Sequence, residues 1–160
     1  LAACPLDVET AATDDGERLV RTIVPDQEFE FGGLRILPVS VPHDAREPSQ
    51  FVLGNGAHAL GVLTDTGVST SHIEAMLSEV DALVLECNHD LDLLMNSTYP
   101  RMLKQRIAGR FGHLDNATAA DILAQLPRDK LQHVVAAHLS RQNNTPELAR
   151  RALAEPDSDI

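Results

Sequence analysis

The 160 residues carry 43% hydrophobic side chains, enough for one domain with its own core, and 3% aromatics with no Trp make that core aliphatic. A chain this rich in Val, Ile and Leu is not a disordered one. The net charge of −11 gives the surface as a whole no attraction for nucleic acid, so such a substrate needs a local basic patch or bound cations.

Residues 1–27 read as a lead-in with weak periodicity and a strand near Leu19–Val24. Acidic residues crowd this end at Asp14, Asp15, Glu17, Asp26, Glu28 and Glu30. The chain opens on Leu1, which fits a fragment or a processed product. Residues 28–67 read as hairpins. Glu28–Phe31 and Leu34–Val41 are strand-like and joined by Gly32-Gly33, and Gln50–Leu53 and His58–Thr64 flank Gly54-Asn55-Gly56. From residue 68 to 155 helices and strands alternate. Ser71-His72-Ile73-Glu74 forms a capping box for a helix to about Glu79. Ala82–Cys87 is an apolar run of strand length. Helical stretches at about Arg101–Arg110 and Ala117–Leu126 precede a second apolar strand, Leu131–Ala137. Thr145-Pro146-Glu147 opens the last helix, with Thr as N-cap and Pro in the first position. The pattern predicts a mixed α/β layered domain.

Two cysteines and no signal peptide suggest a reducing, cytoplasmic setting. A Cys4–Cys87 disulfide is then disfavoured, and Cys87 reads as a buried small hydrophobe. No apolar run reaches the ~20 residues that span a membrane.

Polar residues follow the apolar strands in a repeated way: Pro42-His43-Asp44, Asp65, Asn88-His89-Asp90 and His138. If those strands share a direction, the four clusters meet at one sheet edge, where open α/β sheets bind ligands. Histidines and an aspartate converging there form a nitrogen and oxygen metal site. Each element also has a plain reading. A lone histidine at a strand end ordinarily caps the strand, and Asp65-Thr66-Gly67 serves as a turn. His58, His72 and His133 read as structural or surface residues. Arg101, Lys104, Arg106 and Arg110 are either a solvated helix face or contacts for a substrate backbone.

Several strings carry a resemblance. Val41-Pro42-His43-Asp44-Ala45-Arg46-Glu47-Pro48 and Gly61-Val62-Leu63-Thr64-Asp65-Thr66-Gly67 are joined in order by Leu85-Glu86-Cys87-Asn88-His89-Asp90, Tyr99-Pro100 with Leu103-Lys104, and Gly112-His113-Leu114. Ala137-His138-Leu139-Ser140 and Asn143-Asn144-Thr145-Pro146 complete the series. Together, over residues 28 to 153, they resemble the YycJ/WalJ-like branch of the metallo-β-lactamase superfamily.

The resemblance implies the C-terminal part of an αββα sandwich, with a mixed sheet and flanking helices. It implies two divalent metal ions, zinc or manganese, at one edge. His43 corresponds to an isolated His ligand, Asp65 to the bridging carboxylate and His138 to the last His ligand. His113 corresponds to a residue near the substrate phosphate that acts as a general acid. His89, Asp90, Lys104 and Arg110 are expected on the substrate side. The implied activity is phosphodiester hydrolysis, a nuclease of the DNA exonuclease kind. A small-molecule phosphodiesterase or other ester hydrolase on the same fold, and a non-catalytic fragment or interaction module, are the alternatives.

The sequence departs from the pattern twice. The His-x-His-x-Asp-His signature is absent from these residues, so weak or no metal binding and no activity are expected of this chain alone. Asp115 stands where the branch commonly has Ser. Ala82–Cys87 and Leu131–Ala137 are apolar on both faces, so both faces expect a cover. The helices supply one, and an N-terminal half or a second copy supplies the other.

Overall fold

The computed structural model describes residues 22–154. Six strands form one sheet in chain order: β1 (Phe29–Phe31), β2 (Leu34–Ser40), β3 (Ser49–Gly54), β4 (Ala59–Leu63), β5 (Ala82–Glu86) and β6 (His133–Ala137). The first four form an antiparallel meander, while β4, β5 and β6 run parallel. Strands β2, β4, β5 and β6 therefore end at the same edge of the sheet.

The turns follow from their residues. Gly32 and Gly33 both have positive φ, 59° and 80°, as a two-residue hairpin turn requires. They place Phe31 opposite Leu34. The Asn55 side chain accepts from the amides of Ala57 and His58, closing the second hairpin. Of the lead-in strand expected near Leu19–Val24, residues 22–24 carry no strand and the remainder lies outside the described residues, as does Cys4. Cys87 is a free, buried thiol, pushed up to about 12 by burial and by the Glu86 charge.

Among the described residues five helices accompany the sheet: α1 (Ser71–Leu77), α2 (Leu91–Asn96), α3 (Arg101–Ile107), α4 (Asn116–Gln125) and α5 (Pro146–Leu153). The N-cap of α1 is Thr70, one residue before the expected Ser71; its hydroxyl accepts from the Ile73 amide while Ser69 holds Glu74. Helix α2 had no periodic signal in the sequence. Helix α3 stops at Ile107 rather than continuing to Arg110, because Gly109 and Gly112 let the chain fold back. Strand β6 begins at His133 rather than Leu131, since the amides of Gln132 and His133 first bond to the Asp81 carbonyl. Thr145 and Pro146 open α5 as the sequence indicates.

The core lies on one face of the sheet. Leu63, Leu83, Leu85 and Cys87 pack with Ile73 and Leu77 of α1, Ala119 and Ile122 of α4, and Ala149 of α5. A Cβ on Gly61 would sit 2.7 Å from Leu77 Cδ2, so glycine lets α1 press onto β4. The opposite face carries a row in register, Phe51, Val62, Val84 and Val135. That row is only partly buried, and Val135 is 56% exposed. Among the described residues no helix is long and apolar enough to cross a membrane.

Candidate metal centre

The common strand edge gathers the polar clusters. After β2, the chain carries His43, whose Nδ1 donates to the Gly112 carbonyl at 3.1 Å. A carbonyl only accepts, so this bond assigns the proton to Nδ1 and leaves Nε2 with the lone pair when the ring is neutral. After β4, Asp65 adopts φ 53°, the left-handed region, as does His138 after β6 with φ 56°. Neither is glycine, so both positions hold a backbone that costs free energy. The amide of Gly67 bonds to the Pro42 carbonyl, tying the first two loops together.

Glu86, the last residue of β5, organises the middle of the site. It has no exposed surface. Its Oε1 accepts from His113 Nδ1 at 2.8 Å and from His138 Nδ1 at 2.6 Å, and Oε2 accepts from the Thr66 amide at 3.2 Å and the Leu114 amide at 3.5 Å. Burial alone raises the Glu86 carboxyl. The His113 hydrogen bond, the Thr66 amide and His138 outweigh it and hold the group below its ordinary value. The same hydrogen bond, donated to Glu86, raises His113 against the opposing effect of its own burial, with Asp65 and Asp44 adding to the rise.

Asp65 Oδ1 stands 3.6 Å from His113 Nδ1 and 3.7 Å from His138 Nδ1. Asp65, Glu86, His113 and His138 each offer a donor atom, all within 4.8 Å of one another. The His43 ring lies 5.4 Å from His113, and His113 lies 5.2 Å from His138, centroid to centroid. Two carboxylates and two imidazoles, with the His43 ring beside them, fit a divalent cation. A cavity of about 190 Å³ opens beside them, lined by His43, Asp44, Leu103, Arg106, Gly112 and His113.

The remaining expected residues stand elsewhere. His89 is 1% exposed, and neither ring nitrogen has a hydrogen-bond partner among the described residues. Burial lowers its pKa, with the Asp115 charge opposing. Asp90 caps α2 by accepting from the Leu93 amide. Lys104 donates to the carbonyls of Met95 and Ser97, pinning α3 to the end of α2. Arg106 pairs with Asp44. Arg110 is exposed with its guanidinium 5.9 Å over the Phe111 ring. Asp115 caps α4, accepting from the amides of Ala117 and Thr118. Sequence reasoning gave Glu86 no role of its own; the available signal was a carboxylate ending an otherwise apolar, buried strand.

A mixed sheet with one helix-covered face gathers at its strand ends a histidine and carboxylate cluster able to hold a metal ion, which defines the class of α/β fold. The chain belongs to the metallo-β-lactamase superfamily: the pattern of the β-lactamase superfamily domain matches residues 4–139. The exodeoxyribonuclease YycJ of Bacillus anthracis is 34% identical over 147 residues, spanning 87% of this chain and 56% of that protein. The exodeoxyribonuclease WalJ of Streptococcus pneumoniae is 31% identical over 123 residues, 77% of this chain and 46% of the relative. The chain thus spans about half the length of the relatives it matches. Among solved structures, the metallo-β-lactamase fold protein YhfI from Bacillus subtilis aligns with a TM-score of 0.64 at 16% identity, over 88% of this chain and 51% of that one. A diphosphatase of the PhnP family aligns with a TM-score of 0.53 at 21% identity, over 78% and 39%. Both likenesses concern the fold.

Proposed function

We propose that this chain forms part of a metal-dependent phosphodiesterase that cleaves nucleic acid from its ends, as the names of the exodeoxyribonuclease relatives suggest. The observation that carries the reading is the Glu86 carboxylate, which orients His113 and His138 beside Asp65. Asp65, His138 and His43 are the ligands in this proposal. A His-x-His-x-Asp-His segment elsewhere in the protein supplies the rest, packed as a second sheet on the Phe51, Val62, Val84 and Val135 face. Divalent cations, when bound, lower the pKa of a coordinated water and polarise the phosphoryl group.

The chain's own residues do the rest. Glu86 accepts the Nδ1 protons of His113 and His138, so each ring directs Nε2 away from the carboxylate. The raised pKa of His113 keeps it protonated closer to neutral pH. From Nε2 it donates that proton to the leaving oxygen. Pro42 and Gly67, bonded through their backbones, keep His43 and Asp65 in register.

The test uses the full-length protein loaded with manganese or zinc. Linear DNA, closed circular DNA and bis(p-nitrophenyl) phosphate are offered separately. Shortening of linear DNA with the circle left intact supports the reading. Hydrolysis of the small diester with no loss of DNA moves the assignment to a small-molecule phosphodiesterase. Neither reaction, from protein shown to hold its metal, leaves the interaction-module reading.

A further inference from the structure

The turn between α3 and His113 is built to hold one side chain in the open. Phe111 is 55% exposed. It sits two residues from His113 and one from Gly112, whose carbonyl takes the His43 proton. The turn itself is rigid. Gly112 N bonds to the Gly109 carbonyl at 2.8 Å, and His113 N bonds to the Ile107 carbonyl at 2.9 Å. A Cβ on Gly112 would collide with the carbonyls of Arg106 and Ile107. A Cβ on Gly67, two residues after Asp65, would collide with the carbonyls of Gly109 and Arg110. The backbone of the Gly109–Gly112 turn, which carries Phe111, is therefore clamped between the Asp65 loop and His113. The Arg110 guanidinium lies against that ring, 5.9 Å from its centroid.

The exposed Phe111 ring leaves apolar area in water that a flat ligand would cover. A ring with a guanidinium over one face matches one chemistry well: a nucleobase stacks on the other face and the adjoining phosphate meets the cation. We infer that Phe111 and Arg110 form a subsite at the mouth of the metal centre for the unpaired end of a nucleic-acid strand. The inference rests on the phosphodiesterase reading above and deepens it, since a diester without a base has no use for the ring. Stacking tolerates any base, so the subsite reads the presence of a single-stranded end rather than its sequence. It also answers the charge problem: in an acidic chain, the exposed Arg110 guanidinium, three residues before His113, gives the backbone a local anchor.

The test measures binding apart from turnover. Short DNA and RNA strands with cleavage-resistant linkages carry a fluorescent purine analogue at one end, and full-length protein is titrated in. The wild type quenches the analogue on binding, with DNA, RNA or both; the two arms decide which strand the subsite takes. Phe111→Ala loses the quench, and its KM for a cleavable strand rises about tenfold relative to that for bis(p-nitrophenyl) phosphate, with kcat for the strand held. Phe111→Trp restores both. Arg110→Gln lowers the slope of log affinity against log salt by about one. Equal affinity and equal quench for Phe111→Ala and the wild type on both strands overturn the inference, whatever the protein hydrolyses. A wild type that quenches normally but hydrolyses neither strand nor small diester sinks the phosphodiesterase reading and leaves the binding subsite standing.

Discussion

Glu86 and His89 lie three residues apart, and both are almost wholly removed from solvent. The carboxylate receives four donors, two imidazoles and two amides. The imidazole receives none among the described residues. Burial penalises the charged form of both groups. Partners reverse that penalty at Glu86, which stays ionised, while His89 yields to it and stays neutral. Depth does not decide the charge of these two buried groups; the supply of hydrogen-bond partners does.

Removing the partnered Glu86 charge has the greatest expected effect. Glu86→Ala leaves the partly exposed His113 and His138, and the amides of Thr66 and Leu114, without their acceptor, a loss of ~1–3 kcal/mol. Urea unfolding of the metal-free protein measures it; a loss below ~1 kcal/mol would return Glu86 to an ordinary polar residue. Glu86→Gln keeps the shape but offers Oε1 as an amide oxygen or nitrogen. It should unfold less readily than Glu86→Ala yet weaken metal binding about 10–100-fold, read by calorimetric titration of zinc.

Acidity sharpens the contrast because the groups titrate in different directions. Glu86 is depressed, so its contribution to stability is present above its ordinary 4.5 and lost as pH falls through the lower folded value. His113 is raised, so its contribution is present below 6.5 and lost as pH rises through the folded value. His89 is depressed, so its contribution is present above 6.5 and lost as pH falls, because the unfolded chain takes up a proton that the folded chain refuses. His89→Phe removes two unsatisfied nitrogens and should stabilise by about 1 kcal/mol at neutral pH. That gain should grow below pH 6.5. Melting curves of both proteins from pH 7.5 to 5 check the sign, and a gain that shrinks on acidification would contradict the neutral, partnerless His89. The smallest effect is at the cap of α4: Asp115→Ala costs ~1 kcal/mol, and Asp115→Ser only a few tenths, since either oxygen can accept the Thr118 amide.

Much of this was legible along the chain. Gly32-Gly33, Asn55-Gly56 and Thr145-Pro146 announce their turns and cap by local chemistry alone. The placement of Asp65 and His138 at one edge follows from strand direction, since each ends an apolar run in a parallel set. The cap of α1 was displaced by one residue because Ser69, Thr70 and Ser71 are all eligible, and the choice between them depends on where Glu74 lands. Helix α2 escaped because six residues, Leu91–Asn96, are too few to display a period. Glu86 had no visible role because its meaning comes from His113 and His138, 27 and 52 residues away. Lys104 read as a candidate for substrate because nothing local reveals that the carbonyls of Met95 and Ser97 claim its ammonium.

The left-handed backbone at Asp65 and His138 has a consequence for anyone who sets out to improve this protein. Glycine adopts that conformation with little penalty, whereas a residue bearing a Cβ gives up about 1 kcal/mol at each position. A laboratory selection for heat resistance alone would therefore drift toward Asp65→Gly and His138→Gly, the two changes that erase the proposed ligands. Selection for turnover would push the other way. Variant libraries screened under the two regimes should part company at these two codons before any others near the cleft, leaving a record of how much ruggedness the site forgoes in order to work.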